Sequence, residues 1–136
     1  MVRLIMSGSG EGKTKQLIEL MENAMEQEVG CMVCIEPKRN ISFNLRHQTR
    51  LIDASEFGVD SFAVLRGFIC GLYAGNYDIS HIFIDNLCKI AHSSDEREIG
   101  EFLNWLDAFS SPLNLKATVT VSAAADSATD TMRKYM

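Results

Sequence analysis

A short apolar run, Val2-Arg-Leu-Ile-Met6, gives way at once to the segment Ser7-Gly-Ser-Gly-Glu-Gly-Lys-Thr14. That change constrains the fold more than any other feature of the chain. An apolar run bounded by a Ser/Gly cluster reads as a buried strand entering a loop. From Lys13 to about Glu28 the apolar residues Leu17, Ile18, Met21, Ala24 and Met25 fall on one face of a helix. Gly30 stands where a helix C-cap glycine belongs, and Cys31 to Glu36 is a second apolar run of strand length. Strand, glycine turn, helix and strand form one βαβ unit, with its two strands expected to be parallel.

The rest of the chain repeats the alternation. Pro37 to Gln48 is polar, carries Lys38, Arg39, Arg46 and His47, and is a loop or lid candidate. Thr49 to Ala54 reads as a short strand and Ser61 to Ala74 as an apolar helix. Gly67, Gly71 and Gly75 recur there at four-residue spacing, which suits tight packing of the helix on a sheet; a dimer contact is the sharper alternative. Ile79 to Asp85 is another strand. Ser93 with Glu96 suggests a capping box ahead of a helix whose inner side is Ile99, Phe102, Leu103, Leu106 and Phe109. Lys116 to Ser122, rich in Thr and Val, is a strand, and a short helix or a tail follows Ala123 to Thr129. The expectation is an α/β fold, a three-layer sandwich with a mainly parallel, roughly five-stranded sheet, as one domain over residues 1–136.

Hydrophobic residues at 46% and charged residues at 23% can build a core without disulfides. A net charge of -5 argues against nucleic-acid binding and against coating a membrane surface, because both need a positive field. No apolar run approaches the roughly 20 residues that span a bilayer, and the N-terminus lacks a signal-peptide layout, so a cytoplasmic location is expected. Cys31 and Cys34 form a C-x-x-C pair, yet on a strand positions three apart face opposite ways. All four cysteines, with Cys70 and Cys88, are read as reduced apolar packers rather than metal ligands.

The glycine-rich octapeptide resembles the Walker A loop, G-x-x-x-x-G-K-[ST]. It matches at Gly12, Lys13 and Thr14 and departs at Ser7, where the pattern has glycine. Successive main-chain N–H groups of such a turn converge on a polyphosphate, and the following helix adds its positive end. Ser7, Gly8, Ser9, Gly10, Glu11, Gly12, Lys13 and Thr14 are therefore the candidate binding residues for the triphosphate of ATP or a similar nucleotide. Lys13 is expected at the β- and γ-phosphates and Thr14 on Mg2+. Glu11 is expected to point to solvent, because its charge opposes phosphate. Ser80-His-Ile-Phe-Ile-Asp85 resembles Walker B, with Asp85 a second candidate for Mg2+. His81 is read as a packed strand residue.

Together these motifs look like those of the P-loop NTPase superfamily, in the branch that includes RecA-like ATPases and the nucleotide core of bacterial-type thymidine kinases. The chain also resembles a group of small bacterial ATP-binding proteins, some labelled twitching-motility ATPases. The likeness lies in the SGSGEGKT loop, Cys34-Ile-Glu36, Arg50-Leu-Ile-Asp-Ala54, Ala74-Gly-Asn-Tyr-Asp78, Ile82-Phe-Ile-Asp85 and Thr120-Val-Ser122. The resemblance implies that the strand ending at Ser122 separates the Walker A and Walker B strands, and that Ser122 or Thr120 senses the γ-phosphate. Lys13, Asp85 and Ser122 are accordingly the candidate catalytic residues. Many relatives of this branch carry glutamate after the Walker B aspartate, where this chain has Asn86. An amide cannot accept the proton of an attacking water, so hydrolysis is expected to be slow, to use another acid or to need a partner.

Three functions follow as expectations. One is a Mg-ATPase switch that acts with a protein partner or as a homo-oligomer, with Lys38, Arg39, Arg46 and Arg50 as candidate phosphate sensors. Another is a nucleotide-binding regulatory or assembly module without catalysis. The third is a small-molecule, nucleoside-type kinase, for which little chain remains to build an acceptor pocket and a lid.

Overall fold

Five of the apolar runs become the strands of one sheet. The computed structural model describes residues 1–8, 13–27, 30–38 and 49–136. In chain order the elements are β1 (Val2–Ser7), α1 (Lys13–Gln27), β2 (Cys31–Glu36), β3 (Thr49–Asp53), α2 (Phe62–Gly75), β4 (Ile79–Ile84), α3 (Leu87–Ala91), α4 (Glu96–Ser110), β5 (Lys116–Ser122) and α5 (Asp130–Arg133). The strand order is β1-β5-β4-β2-β3, and every adjacent pair is parallel. The strand ending at Ser122 does separate β1 from β4.

Alternation along each strand sorts the core into two halves. On one face Met32, Cys34 and Phe83 pack with Leu17, Met21 and Met25 of α1. On the other, Val33, Ile35, Ile82, Ile84 and Val119 meet Leu65 and Ile69 of α2 and Phe102, Leu103 and Leu106 of α4. Helices thus cover both faces, an arrangement compatible with three layers. Strand β1 lies at the sheet edge, where its Leu4 N–H donates to the Tyr135 carbonyl at 2.7 Å, which satisfies an outward-facing donor. Cys31 packs toward one face and Cys34 toward the other, as their spacing demands. All four cysteines are free, but Cys70 is exposed and is no core packer.

Three local expectations are corrected. Gly30 is not a left-handed cap; Gly58 is the glycine with positive φ among the described residues. A Cβ at Gly30 would overlap the Asp78 carbonyl oxygen and crowd Ser80, so glycine is required there by close approach. Gly67, Gly71 and Gly75 do not pack α2 on the sheet, since a Cβ at each meets nothing within 4 Å. The cap of α4 is Asp95, which accepts from the N–H groups of Arg97 and Glu98 at 2.9 and 3.2 Å. Ser93 instead donates its hydroxyl to Glu98 at 2.8 Å and accepts the Asp95 N–H. Residues 39–48 of the lid candidate, with Arg39, Arg46 and His47, lie outside the described residues.

The close approach at Gly30 carries a prediction. Gly30→Ala is expected to destabilise the fold by about 1–3 kcal/mol, the usual range for overpacking. The urea midpoint should fall with an unchanged slope; an unchanged midpoint would show that the Asp78 carbonyl moves aside freely.

Candidate functional site

Because every strand runs the same way, all five C-terminal ends lie along one edge, where open α/β sheets bind ligands. Period-two alternation then decides which end residues share a face. Cys34, Leu51 and Phe83 pack on the α1 side. Glu36, Asp53 and Asp85, each two residues further on, follow them to that side. Ser7 and Ser122 are register partners across β1 and β5. Five strand ends thus bring two hydroxyls and three carboxyl groups to the side of the sheet on which α1 begins.

The strand β5 ties this edge together. Thr120 is fully buried and donates its hydroxyl to Asp85 Oδ1 at 2.9 Å. The Thr120 hydroxyl oxygen in turn accepts the main-chain N–H of Asn86 at 2.8 Å. Asn86 has φ 59 and ψ 64, a left-handed conformation that asparagine tolerates better than glutamate does. Its Oδ1 accepts from the Ser122 hydroxyl at a loose 3.5 Å. The asparagine after the strand therefore suits a turn that leads straight into α3. Of the two candidate sensors, Thr120 is committed to holding Asp85, and Ser122 stays nearer the surface of the edge.

Glu36 is the residue to which the sequence assigns no role beyond its place in the Cys34-Ile-Glu36 likeness. It is 1% exposed at the end of β2. The Asp85 N–H donates to the carbonyl of Ile35, next to Glu36, at 2.9 Å, so the two acids end neighbouring strands on one face. Both are near enough to Cys34 to act on it: burial, then Glu36, then Asp85 push its thiol well above the usual range, which keeps it neutral and unsuited to redox or metal chemistry. Asp53, by contrast, caps a 3-10 turn at Ala54–Phe57, accepting from the Ser55 N–H at 2.9 Å and from its hydroxyl. The buried hydroxyl oxygen of Ser7 has no hydrogen-bond partner among the described residues. A polar atom so placed, where the chain enters the glycine-rich segment, is suited to a polar ligand.

Ser9, Gly10, Glu11 and Gly12 lie outside the described residues. Lys13 and Thr14 open α1, and Gly8 is exposed after β1. The first turn of α1 contains no acidic residue, although carboxylates favour that position. Arg50 does not reach the edge: it pairs in register with Val33, on the opposite face and near the start of β3. Lys38 is exposed just beyond β2. Among the described residues no three His, Cys, Asp or Glu side chains form a group that could hold a metal ion. Magnesium at a nucleotide needs only one or two carboxylates besides phosphate oxygens, so Asp85, fixed by Thr120, is a donor of the right kind. No helix among the described residues is long and apolar enough to cross a membrane. A comparison with protein-family models finds no match, and none of the curated proteins matches the chain.

Proposed function

We propose that the chain is a P-loop protein that binds a nucleoside triphosphate, ATP in the first instance, and hydrolyses it slowly or with a partner as a molecular switch. One observation carries this reading. The segment 7–14 joins the end of a parallel strand to the start of a helix, and a buried Asp85 ends a strand of the same sheet on the helix side. A triphosphate there meets unpaired amides and the positive end of α1. Lys13 and Lys15, in a first turn without acids, add to that positive end rather than oppose it. Such an arrangement disfavours an empty turn and favours an anion.

In this reading Ser7 and the amides of residues 8–14 cup the phosphates, and Lys13 neutralises the terminal ones. Thr14 and Asp85 hold Mg2+, which when bound draws charge from the phosphate oxygens. Thr120 fixes the carboxyl group of Asp85, and Ser122 faces the transferred phosphate. Glu36 supplies the acid that position 86 lacks: a buried carboxylate beside Asp85, able to accept a proton from water. A non-catalytic module is the second reading, favoured by the engagement of Asn86 with Thr120 and Ser122.

The test is calorimetric titration with ATP, ADP and GTP in the presence of Mg2+, alongside phosphate release over hours. Saturable heat with ATP is expected. Heat without release selects the module, and no heat at millimolar nucleotide removes the proposal altogether.

A further inference from the structure

A cleft of about 260 Å³ opens on the α1 side of the sheet, at the end away from the glycine-rich segment. Its floor is made by β1, β5 and β4, whose register sets Arg3 and Phe83 on either side of Thr118 and His81 beside Lys116. Its wall is the second half of α1, through Leu20 and Ala24. The His81 ring stacks on Phe83 with centroids 4.0 Å apart and planes 13° apart, and its Nε2 lies 2.8 Å from the Thr118 hydroxyl. That makes a flat, rigid aromatic step with one polar edge.

Charge gives the cleft its selectivity. The chain has 18 acidic and 13 basic residues, yet among the described residues none that lines the cleft is acidic, and Arg3 and Lys116 stand at its rim. Arg3 forms no ion pair among the described residues. A local positive field over an apolar, aromatic hollow selects an anion with a flat body. The volume falls just below the range of about 300–1,000 Å³ typical of drug-sized ligands, so the occupant is a one-ring molecule rather than a nucleotide.

We propose that this cleft binds a small aromatic carboxylate, its ring between the His81 step and α1 and its carboxylate at Arg3. The site is distinct from the nucleotide edge. His81 precedes Asp85 by four strand positions, about 13 Å at strand rise. It shares β4 and α1 with that edge, so an occupant touches the two elements that carry Asp85 and Lys13. The binding itself does not depend on the nucleotide reading.

The probe is benzoate, with benzamide as its uncharged counterpart, in an amide-shift NMR titration of the full chain. Benzoate is expected to shift Ala24 and Thr118 saturably at millimolar concentration while leaving Asp85 and Ser122 in place. Benzamide should bind about tenfold more weakly, the scale of one charge-assisted contact. Arg3→Gln should erase that difference, and Ala24→Trp should block both probes. Equal affinity for the two probes, retained preference in Arg3→Gln, displacement of benzoate by MgADP, or no saturation would each overturn the proposal. Because Arg3 is exposed, its variant remains informative if Ala24→Trp fails to fold.

Discussion

Lys13→Ala is expected to weaken MgATP binding by about 30-fold to several thousand-fold, the range for removing one partner of a desolvated charge pair. The amides of the turn and the end of α1 remain, so residual binding persists, but no remaining group supplies a mobile point charge to the terminal phosphates. The stability of the empty protein should move the other way. Lys13 is the first residue of α1, where a cation opposes the helix dipole, and alanine is the better helix former. The nucleotide-free melting temperature should therefore hold or rise slightly. Wild type should gain thermal stability with MgATP by mass action, and the variant should not. A variant that melts early without nucleotide, or one still stabilised by MgATP to the wild-type extent, would remove Lys13 from the site.

The contrast between the two ends of α1 shows what was legible in the sequence. The strand and the helix that flank the glycine-rich segment are readable because composition changes abruptly there, and α1 begins at Lys13 as expected. Beyond its end, Gly30 was misread. A glycine demanded by a neighbouring carbonyl and one demanded by positive φ look alike in sequence, and the crowding at Asp78 is a tertiary fact. The cap of α4 failed for a related reason. Ser93 and Asp95 are both good caps, and the choice depended on which one the first helical amides reach. Spacing alone suggests packing for the glycines of α2, but spacing does not say which helix face meets the sheet.

Glu36 was missed although a signal was present. Cys34-Ile-Glu36, Leu51-Ile-Asp53 and Phe83-Ile-Asp85 are three apolar runs that each close on an acid. Only Asp85 receives a role from the sequence, because it matches a named motif. Strand order is what separates the three. β2 lies beside β4, which puts Glu36 next to Asp85, whereas β3 lies one strand further out and its acid caps a turn. No pattern local to β2 contains that adjacency.

Glu36→Gln should therefore leave MgATP binding within about twofold, as expected for a near-isosteric change, and lower phosphate release by about 100-fold or more, the scale of a lost general base. Glutamine keeps the volume of the side chain in a site that is 1% exposed, and it retains an acceptor oxygen for neighbouring donors. What it loses is the ability to take a proton from water. A structural role predicts a different pattern: reduced thermal stability and reduced binding together, with turnover falling only in proportion to the folded fraction. The discriminating measurement is single-turnover phosphate release at saturating MgATP, with calorimetry on the same preparation. If Glu36→Gln releases phosphate at the wild-type rate, the acid beside Asp85 is not the water-activating group; if neither protein releases phosphate, Asn86 at the end of β4 marks a protein whose nucleotide is held rather than spent.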